Sequence, residues 1–403
     1  MAADRPAFTL NNLTPAPLSV KYRKIFRCAP TFLICIVISS CSLSRNITQS
    51  STGEVSKLDS AKDSEIREVL REMMSTHDIP GASIAIALNG EIVFADGFGF
   101  SDLENRIAAK ASTVYRSASI GKSITATAIM RLVENNVISL SDPVQRHCPR
   151  FPEKPEGRIT VRHLLAHQSG IRHYDGPNDY AEQNNVVHYD DVDDALAIFE
   201  NDPLLHAPGD AYTYSTFGYN VLGCVLQGAS GGIFMDKIVE LVLKPAGMED
   251  TRDDDPRALI PNRAAGYVME GGRLLNAVAV DMSSKLPAGG YVTTVVDLAR
   301  FAIAFQGGRL VSLISKDQML SNQILNDGTS TTYGLGWGLS DPNDLWYGYR
   351  EAFHGGSTPG VSGMLYMITD RQFAVALLSN QQSFKDRMTY VATISKIVLD
   401  LDK

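Results

Sequence analysis

Arg116-Ser117-Ala118-Ser119-Ile120-Gly121-Lys122-Ser123 is the stretch on which the reading of this chain turns. Ser119 and Lys122 stand three residues apart at the start of a helix-like segment, which puts a hydroxyl and an amine on one helical face. A serine is a weak nucleophile until a base takes its proton. A lysine one turn away, its charge disfavoured by burial, can do that. The pair points to acyl transfer through Ser119. Behind it Ile124, Ala128 and Leu132 continue the helical period to about Val137, so the chemical face and the buried face belong to one element.

Outward from this helix the pattern divides the chain in three. On the N-terminal side, Ile66, Val69, Leu70 and Met73 recur at helical spacing over residues 64–74. Residues 81–88 and 92–95 are β-rich runs separated by Asn89-Gly90, the strongest short hairpin signal. Between Ile138 and Gly307, helical segments at 161–167, 193–199, 218–226 and 295–305 alternate with loops rich in Pro and Gly. Strand patterns return at 334–339, 351–354, 363–368 and 373–378, and residues 389–401 close as a helix. Strands at both ends of a helical insertion predict an α/β lobe whose sheet joins the N-terminal and C-terminal segments.

At 403 residues, 44% hydrophobic and 20% charged, the chain is neither disordered nor fibrous. Its net charge of −8 conceals a basic start, with Arg5, Lys21, Arg23, Lys24 and Arg27 against Asp4. The rest carries about −12, which argues against nucleic-acid binding. The basic cluster 21–27 precedes the apolar run 32–38 and then Ser39, Ser40 and Cys41, the order of a secretory signal and too short a run for an ordinary membrane-spanning helix.

Ile38-Ser-Ser-Cys41 also resembles a bacterial lipobox, which implies cleavage before Cys41 and a lipid on its sulfur. An uncleaved hydrophobic tether is the alternative. Residues 1–19 fit neither, and Val20 is a candidate start. The expected division is a signal over 1–40, a flexible tether over 41–62 and one domain over 63–403. That makes an exported protein of a bacterial cell envelope, facing the periplasm and held to the membrane by a lipid or N-terminal anchor. Of the remaining mature cysteines, Cys148 and Cys224, the second lies in the apolar run 219–226 and reads as a buried inert thiol, so no disulfide is expected.

Two further segments join the first. Tyr212-Thr-Tyr-Ser-Thr-Phe-Gly-Tyr-Asn-Val-Leu-Gly223 and Phe353-His-Gly-Gly-Ser357 follow the Ser-x-x-Lys motif in the order of the three motifs of serine β-lactamase-related proteins, which they resemble. Tyr214-Ser-Thr216 stands where class C enzymes have Tyr-x-Asn, and His354-Gly-Gly356 where the pattern is Lys-Thr-Gly. Residues 159–171, 287–290 and 333–338 also match, and the similarity covers about 64–395. Pro152-Glu-Lys-Pro, 169–174 and 214–219 are most similar to the mitochondrial-type serine β-lactamase-like proteins and their bacterial relatives.

The resemblance implies an α/β (α+β) fold of the β-lactamase and penicillin-binding-protein transpeptidase type, an antiparallel sheet flanked by helices plus a mainly helical lobe. The superfamily (peptidase S12) holds class C β-lactamases, D-alanyl-D-alanine carboxypeptidases, D-amino-acid peptidases and esterases, so a serine hydrolase without cofactor or metal is expected. Its substrate would be a small molecule or a peptide. Ser119 would be acylated at a helix N-terminus that favours negative charge. Lys122 and Tyr214 would share the proton work: a charged lysine lowers the phenol's pKa, or a desolvated lysine is itself the base. Gly356 would let the substrate approach an edge strand, and the N–H groups of Ser357 and Ser119 would form the oxyanion hole.

His354, with an intrinsic pKa of about 6.5, would be partly charged near neutrality where the family has a permanent cation. Gly355 removes a hydroxyl. Both changes favour a peptide or ester over a penicillin. A peptidase or D-peptide hydrolase is the first expectation. An esterase or weak β-lactamase is the second, and a non-hydrolytic scaffold or penicillin-binding sensor the third, since the mitochondrial relatives are associated with polymers; an oligomer is compatible with each. Neither Ser-Asp-Asn nor Lys-Thr-Gly occurs, which excludes a standard class A enzyme.

The remaining candidates read as structural. His163 and His167 have zinc-pair spacing, but Leu164 stands where a zincin needs glutamate. Asp190, Asp191, Asp193 and Asp194 read as a solvated helix start, and Asp253 to Asp255 as a turn before Pro256. Gly289 and Gly290 fit either a tight turn or a cleft wall.

Overall fold

Asn89 and Gly90 take φ of 51° and 81°, the two left-handed residues that a type I′ turn requires, and so begin the sheet. In the computed structural model, residues 55–174, 179–341 and 345–401 are described. The main sheet contains β1 (Val55–Ser56), β2 (Gly81–Leu88), β3 (Glu91–Asp102), β4 (Ile107–Ala108), β5 (Gly338–Leu339), β6 (Glu351–Thr358), β7 (Val361–Ile368) and β8 (Phe373–Ser379). Across the sheet the order is β1-β3-β2-β8-β7-β6-β5, with β4 on β3 and every pair antiparallel. The seam between β2 and β8, with Ala85 opposite Ala376, joins the two ends of the chain.

Period-two alternation then sorts the side chains. Ile84, Ile86, Phe94, Tyr366 and Val375 face two helices, α1 (Ser60–Thr76) and the C-terminal helix (Arg387–Leu399), through Ile66, Leu70, Met73, Val391 and Ile394. Ala85, Ala87, Leu365, Met367 and Ala376 face the larger core of the helical lobe. Each fully buried large apolar side chain contributes about 1.5–3 kcal/mol. The central helices of that lobe are α2 (Gly121–Glu134), α3 (Thr216–Ser230) and α4 (Val295–Gln306).

Several boundaries differ from the sequence reading. The domain starts by Val55, not residue 63: β1 pairs with β3, and Asp59 caps α1 by accepting the N–H groups of Ala61 and Lys62. A two-residue strand is too short to leave a periodic signature. The leader, Cys41 and the rest of the expected tether lie outside the described residues. Of 334–339 only Gly338–Leu339 is strand, and 193–199 is a 3-10 turn at Asp194–Ile198. Among the described residues no helix is long and apolar enough to cross a membrane.

The cysteines require a correction. Cys148 and Cys224 form a disulfide across 76 residues of chain, with Cα atoms 5.4 Å apart. One turn after Cys224, a Cβ on Gly228 would meet the His147 carbonyl at 1.7 Å, so α3 packs directly against the loop that carries Cys148. That contact between distant segments leaves no trace in local hydrophobicity. Loop-closure entropy gives such a crosslink about 4–5 kcal/mol. Cys224→Ser is therefore expected to lower unfolding stability by about 2–5 kcal/mol. Urea titrations with and without reductant check this, since wild type should lose the same increment on reduction and the variant nothing.

Candidate active site

The turn that carries Ser119 is held from several sides. Arg116 is pinned to Asp254, which also pairs with Arg263, and donates to the Pro359 carbonyl at 2.9 Å. Asp254, expected with Asp253 and Asp255 in a turn before Pro256, is a buried ion-pair centre. Ser117 N–H donates to the Tyr291 carbonyl at 2.8 Å. Ala118 then takes φ of 46°, a left-handed conformation that costs an alanine about 1–2 kcal/mol. The 3-10 turn Ala118–Ile120 follows, leading directly into α2.

Glycines are what allow this turn to be clamped. A Cβ on Gly356 would lie 2.7 Å from the Ser117 carbonyl oxygen and 3.0 Å from the Ala118 Cβ. A Cβ on Gly289 would lie 2.1 Å from the Ala118 carbonyl oxygen. Gly289 is thus part of the wall behind Ser119.

Lys122 is fully buried, and its Nζ reaches Ser119 Oγ at 3.1 Å, the Ala288 carbonyl at 3.1 Å and Thr216 Oγ1 at 3.3 Å. Burial, and then the charge of Lys285, hold its pKa well below 10.5. Tyr214 lines the same hollow as Ser119, and burial pushes the phenol's pKa well up although Ser119 works against the shift. Lys122 Nζ lies 4.9 Å from the Tyr214 ring centroid. Burial therefore disfavours the charged form of both groups.

His354 differs most from expectation. It is 5% exposed; Nδ1 donates to the Gly355 carbonyl at 2.8 Å, and Nε2 is 3.0 Å from the Tyr333 hydroxyl, whose proton it is placed to accept. Burial, with Lys122 nearby, lowers its pKa to about 3, so it is neutral near pH 7 and not partly charged.

Beyond Phe353 the outer edge of β6 is open, because β5 pairs only with Ala352 and Phe353. On that side the Glu351 carbonyl accepts the Ser340 N–H, and the Glu351 N–H donates to Ser340 Oγ. The two-residue period then turns the Gly355 and Ser357 backbone groups to the same open edge.

Two hollows meet at Ser119. One, of about 400 Å³, is lined by Tyr212, Tyr214, Tyr333, His354, Gly356 and Ser357. The other, of about 90 Å³, is lined by Lys122, His173, Gln183, Thr216, Lys285 and Ala288. The structure thus gathers Ser119, Lys122, Tyr214, His354, Gly356 and Ser357 around one cleft.

Sequence reasoning did not single out Thr216, Tyr333, Lys285 or the Ala288 carbonyl. Three of these lie inside quoted motifs, where neighbourhood was the available signal; Lys285 had none beyond preceding Pro287-Ala-Gly-Gly. His163 and His167 each have Nδ1 engaged by a backbone N–H. His163 Nδ1 accepts the Thr160 N–H, and His167 Nδ1 accepts the Ser215 N–H from within a ring of tyrosines. Among the described residues no group of three or more His, Cys, Asp or Glu could hold a metal ion.

This sheet, helical lobe and Ser-Lys-Tyr cluster define a serine hydrolase of the β-lactamase and penicillin-binding-protein fold. The chain belongs to the beta-lactamase family, whose model matches residues 66–396. It is 28% identical over 442 residues to the mitochondrial serine beta-lactamase-like protein LACTB of Bos taurus, covering 84% of this chain and 79% of that one. The octameric penicillin-binding protein homologue from Pyrococcus abyssi superposes with a TM-score of 0.72 at 27% identity, over 84% of this chain and 77% of that one. The D-amino acid amidase of Ochrobactrum anthropi SV3 shares the fold, with a TM-score of 0.71 at 21% identity over 85% and 99%.

Gly356→Ala tests the clamp. The added methyl has no space against Ser117 and Ala118, so Ser119 should shift. The expected result is a loss of roughly tenfold or more in Ser119 acylation by a fluorophosphonate, because small misplacements of reacting groups are costly. Intact-mass time courses read this out, and Gly355→Ala, whose Cβ meets only ordinary contacts, serves as the control.

Proposed function

We propose that this protein hydrolyses peptide or amide bonds through an acyl-Ser119 intermediate, with Lys122 as the base. The observation that carries the reading is the desolvated Lys122 amine 3.1 Å from Ser119 Oγ. Its neutral form takes the hydroxyl proton as Ser119 attacks the carbonyl carbon. Tyr214, which lines the same hollow as Ser119 with its ring centroid 4.9 Å from Lys122 Nζ, relays that proton to the departing nitrogen as the acyl bond breaks. Water then repeats the sequence to release the acid. The N–H groups of Ser119 and Ser357 receive the developing oxyanion, an interaction worth about 3–4 kcal/mol per donor.

The open edge of β6 supports an extended peptide, which pairs with such an edge through its backbone. Neutral His354 offers no fixed charge for a penicillin carboxylate. A dead scaffold is disfavoured by the same buried amine, since an unused lysine placed there carries a desolvation cost without return.

The test is a substrate panel of β-lactam, D-Ala-D-Ala peptide, ordinary peptide and aryl ester on wild type and Ser119→Ala, with intact mass for the adduct. Peptide turnover dependent on Ser119 is expected. Turnover of esters alone would sink the peptidase claim, and no Ser119-dependent adduct would sink catalysis altogether. On the preferred peptide kcat/KM should fall on acidification, as Lys122 gains the proton that disables it. His354 should add no step near pH 6.5. Lys122→Arg, charged throughout, should lose roughly 10²–10⁴ in rate.

Export to a bacterial envelope belongs to this proposal. A disulfide persists in an oxidising compartment, and Cys148–Cys224 favours one. A lipid on Cys41 would provide the attachment. Cys41→Ala should move the protein from the membrane to the soluble fraction on ultracentrifugation, and unchanged sedimentation would count against the anchor.

A further inference from the structure

The smaller hollow beside Ser119 holds a cation that the proton relay does not use. Lys285 is 5% exposed, at the end of the 3-10 turn Met282–Lys285. Three residues on, Ala288 presents the carbonyl that holds Lys122, so one short wall carries both features. The Lys285 ammonium donates to the Gln183 carbonyl and lies 5.1 Å from the Tyr174 ring centroid, and neither contact cancels its charge.

Among the described residues the acids nearby are committed elsewhere. Asp281 is 2.8 Å from His188 Nδ1, Glu182 pairs with Arg172, and Asp254 serves Arg116 and Arg263. Among the described residues Lys285 has no carboxylate partner. A buried cation without a counter-ion is costly, and one that opens into a hollow is satisfied when an anion arrives there. Burial, with Arg116 adding to it, lowers the amine's pKa to about 8, which still leaves it mostly protonated at neutral pH.

Position and size narrow the ligand. Tyr214, which returns the proton to the departing atom in the proposed reaction, lines the larger cleft, so the departing part lies there. The acyl part then faces the hollow that contains Lys285. At about 90 Å³ this hollow has the volume of about three waters, enough for a carboxylate on a short spacer and too little for an aromatic acyl group.

We propose that this hollow is an anion subsite: the substrate carries a carboxylate on a short spacer on the acyl side of the bond cleaved, and Lys285 receives it. The proposal rests on the Ser119 hydrolase reading and adds the chemical class of the acyl donor.

Matched p-nitrophenyl esters test it, one with a butyryl and one with a hemisuccinyl acyl group, nearly equal in shape and different in charge. Rates are corrected with Ser119→Ala. Wild type should favour the hemisuccinyl ester at least tenfold in kcat/KM, chiefly through KM. In Lys285→Met the preference should fall about tenfold, whatever change the two esters share. Lys285→Glu should shift it toward a 4-aminobutyryl ester.

Ser119-dependent turnover without a charge preference in wild type would overturn the subsite and leave the hydrolase reading standing. A preference unchanged in both variants would also overturn it. Absence of Ser119-dependent turnover on either ester would overturn the hydrolase reading and the subsite together. The wild-type comparison needs no variant to fold.

Discussion

A lysine amine buried beside a serine hydroxyl is the constraint on which this structure depends. An amine in water is charged and fully solvated, so a fold that excludes water from Nζ must give it other partners. It does so with one oxygen from each of three places: Ser119 on its own turn, Thr216 at the start of α3, and Ala288 on the wall before α4. Those segments lie far apart in the chain, so the helical lobe must be fully assembled before the amine is desolvated. Local and global order are thereby coupled at one nitrogen.

The framework around that nitrogen serves the same end. Strands from both ends of the chain meet at β2 and β8, which brings β6 with its glycine pair against the turn that carries Ser119. The left-handed Ala118 is unfavourable alone and persists because backbone packs on both sides of it. The disulfide ties α3, whose first turn supplies Thr216, to a loop 76 residues away. The enclosed loop contains His167, His173 and Tyr214, so the crosslink restrains much of the helical lobe's share of the site.

Burial also reverses the reading of charge. An exposed histidine at position 354 would titrate near neutrality, but in the folded protein its two nitrogens are engaged by Tyr333 and Gly355. Cationic groups line both hollows instead, Lys285 in the smaller one and Arg387 in the larger one with His354 and Tyr333.

From the sequence alone Ser119, Lys122 and Tyr214 were legible as one candidate group, because helical spacing puts Ser119 and Lys122 together and the motifs around Tyr214 and His354 are local strings. Hydrophobic period likewise determined the hairpin at Asn89-Gly90 and most of the helices and strands, since amphipathic faces are written in neighbouring residues. Only the tertiary structure decided the protonation states of Lys122 and His354, the Cys148–Cys224 bond, the ion-pair role of Asp254 and the position of Lys285. The physical reason is common to all of them. Desolvation, disulfide distance and ion pairing depend on segments that meet in space after long stretches of intervening chain, and no local pattern records which segments those are.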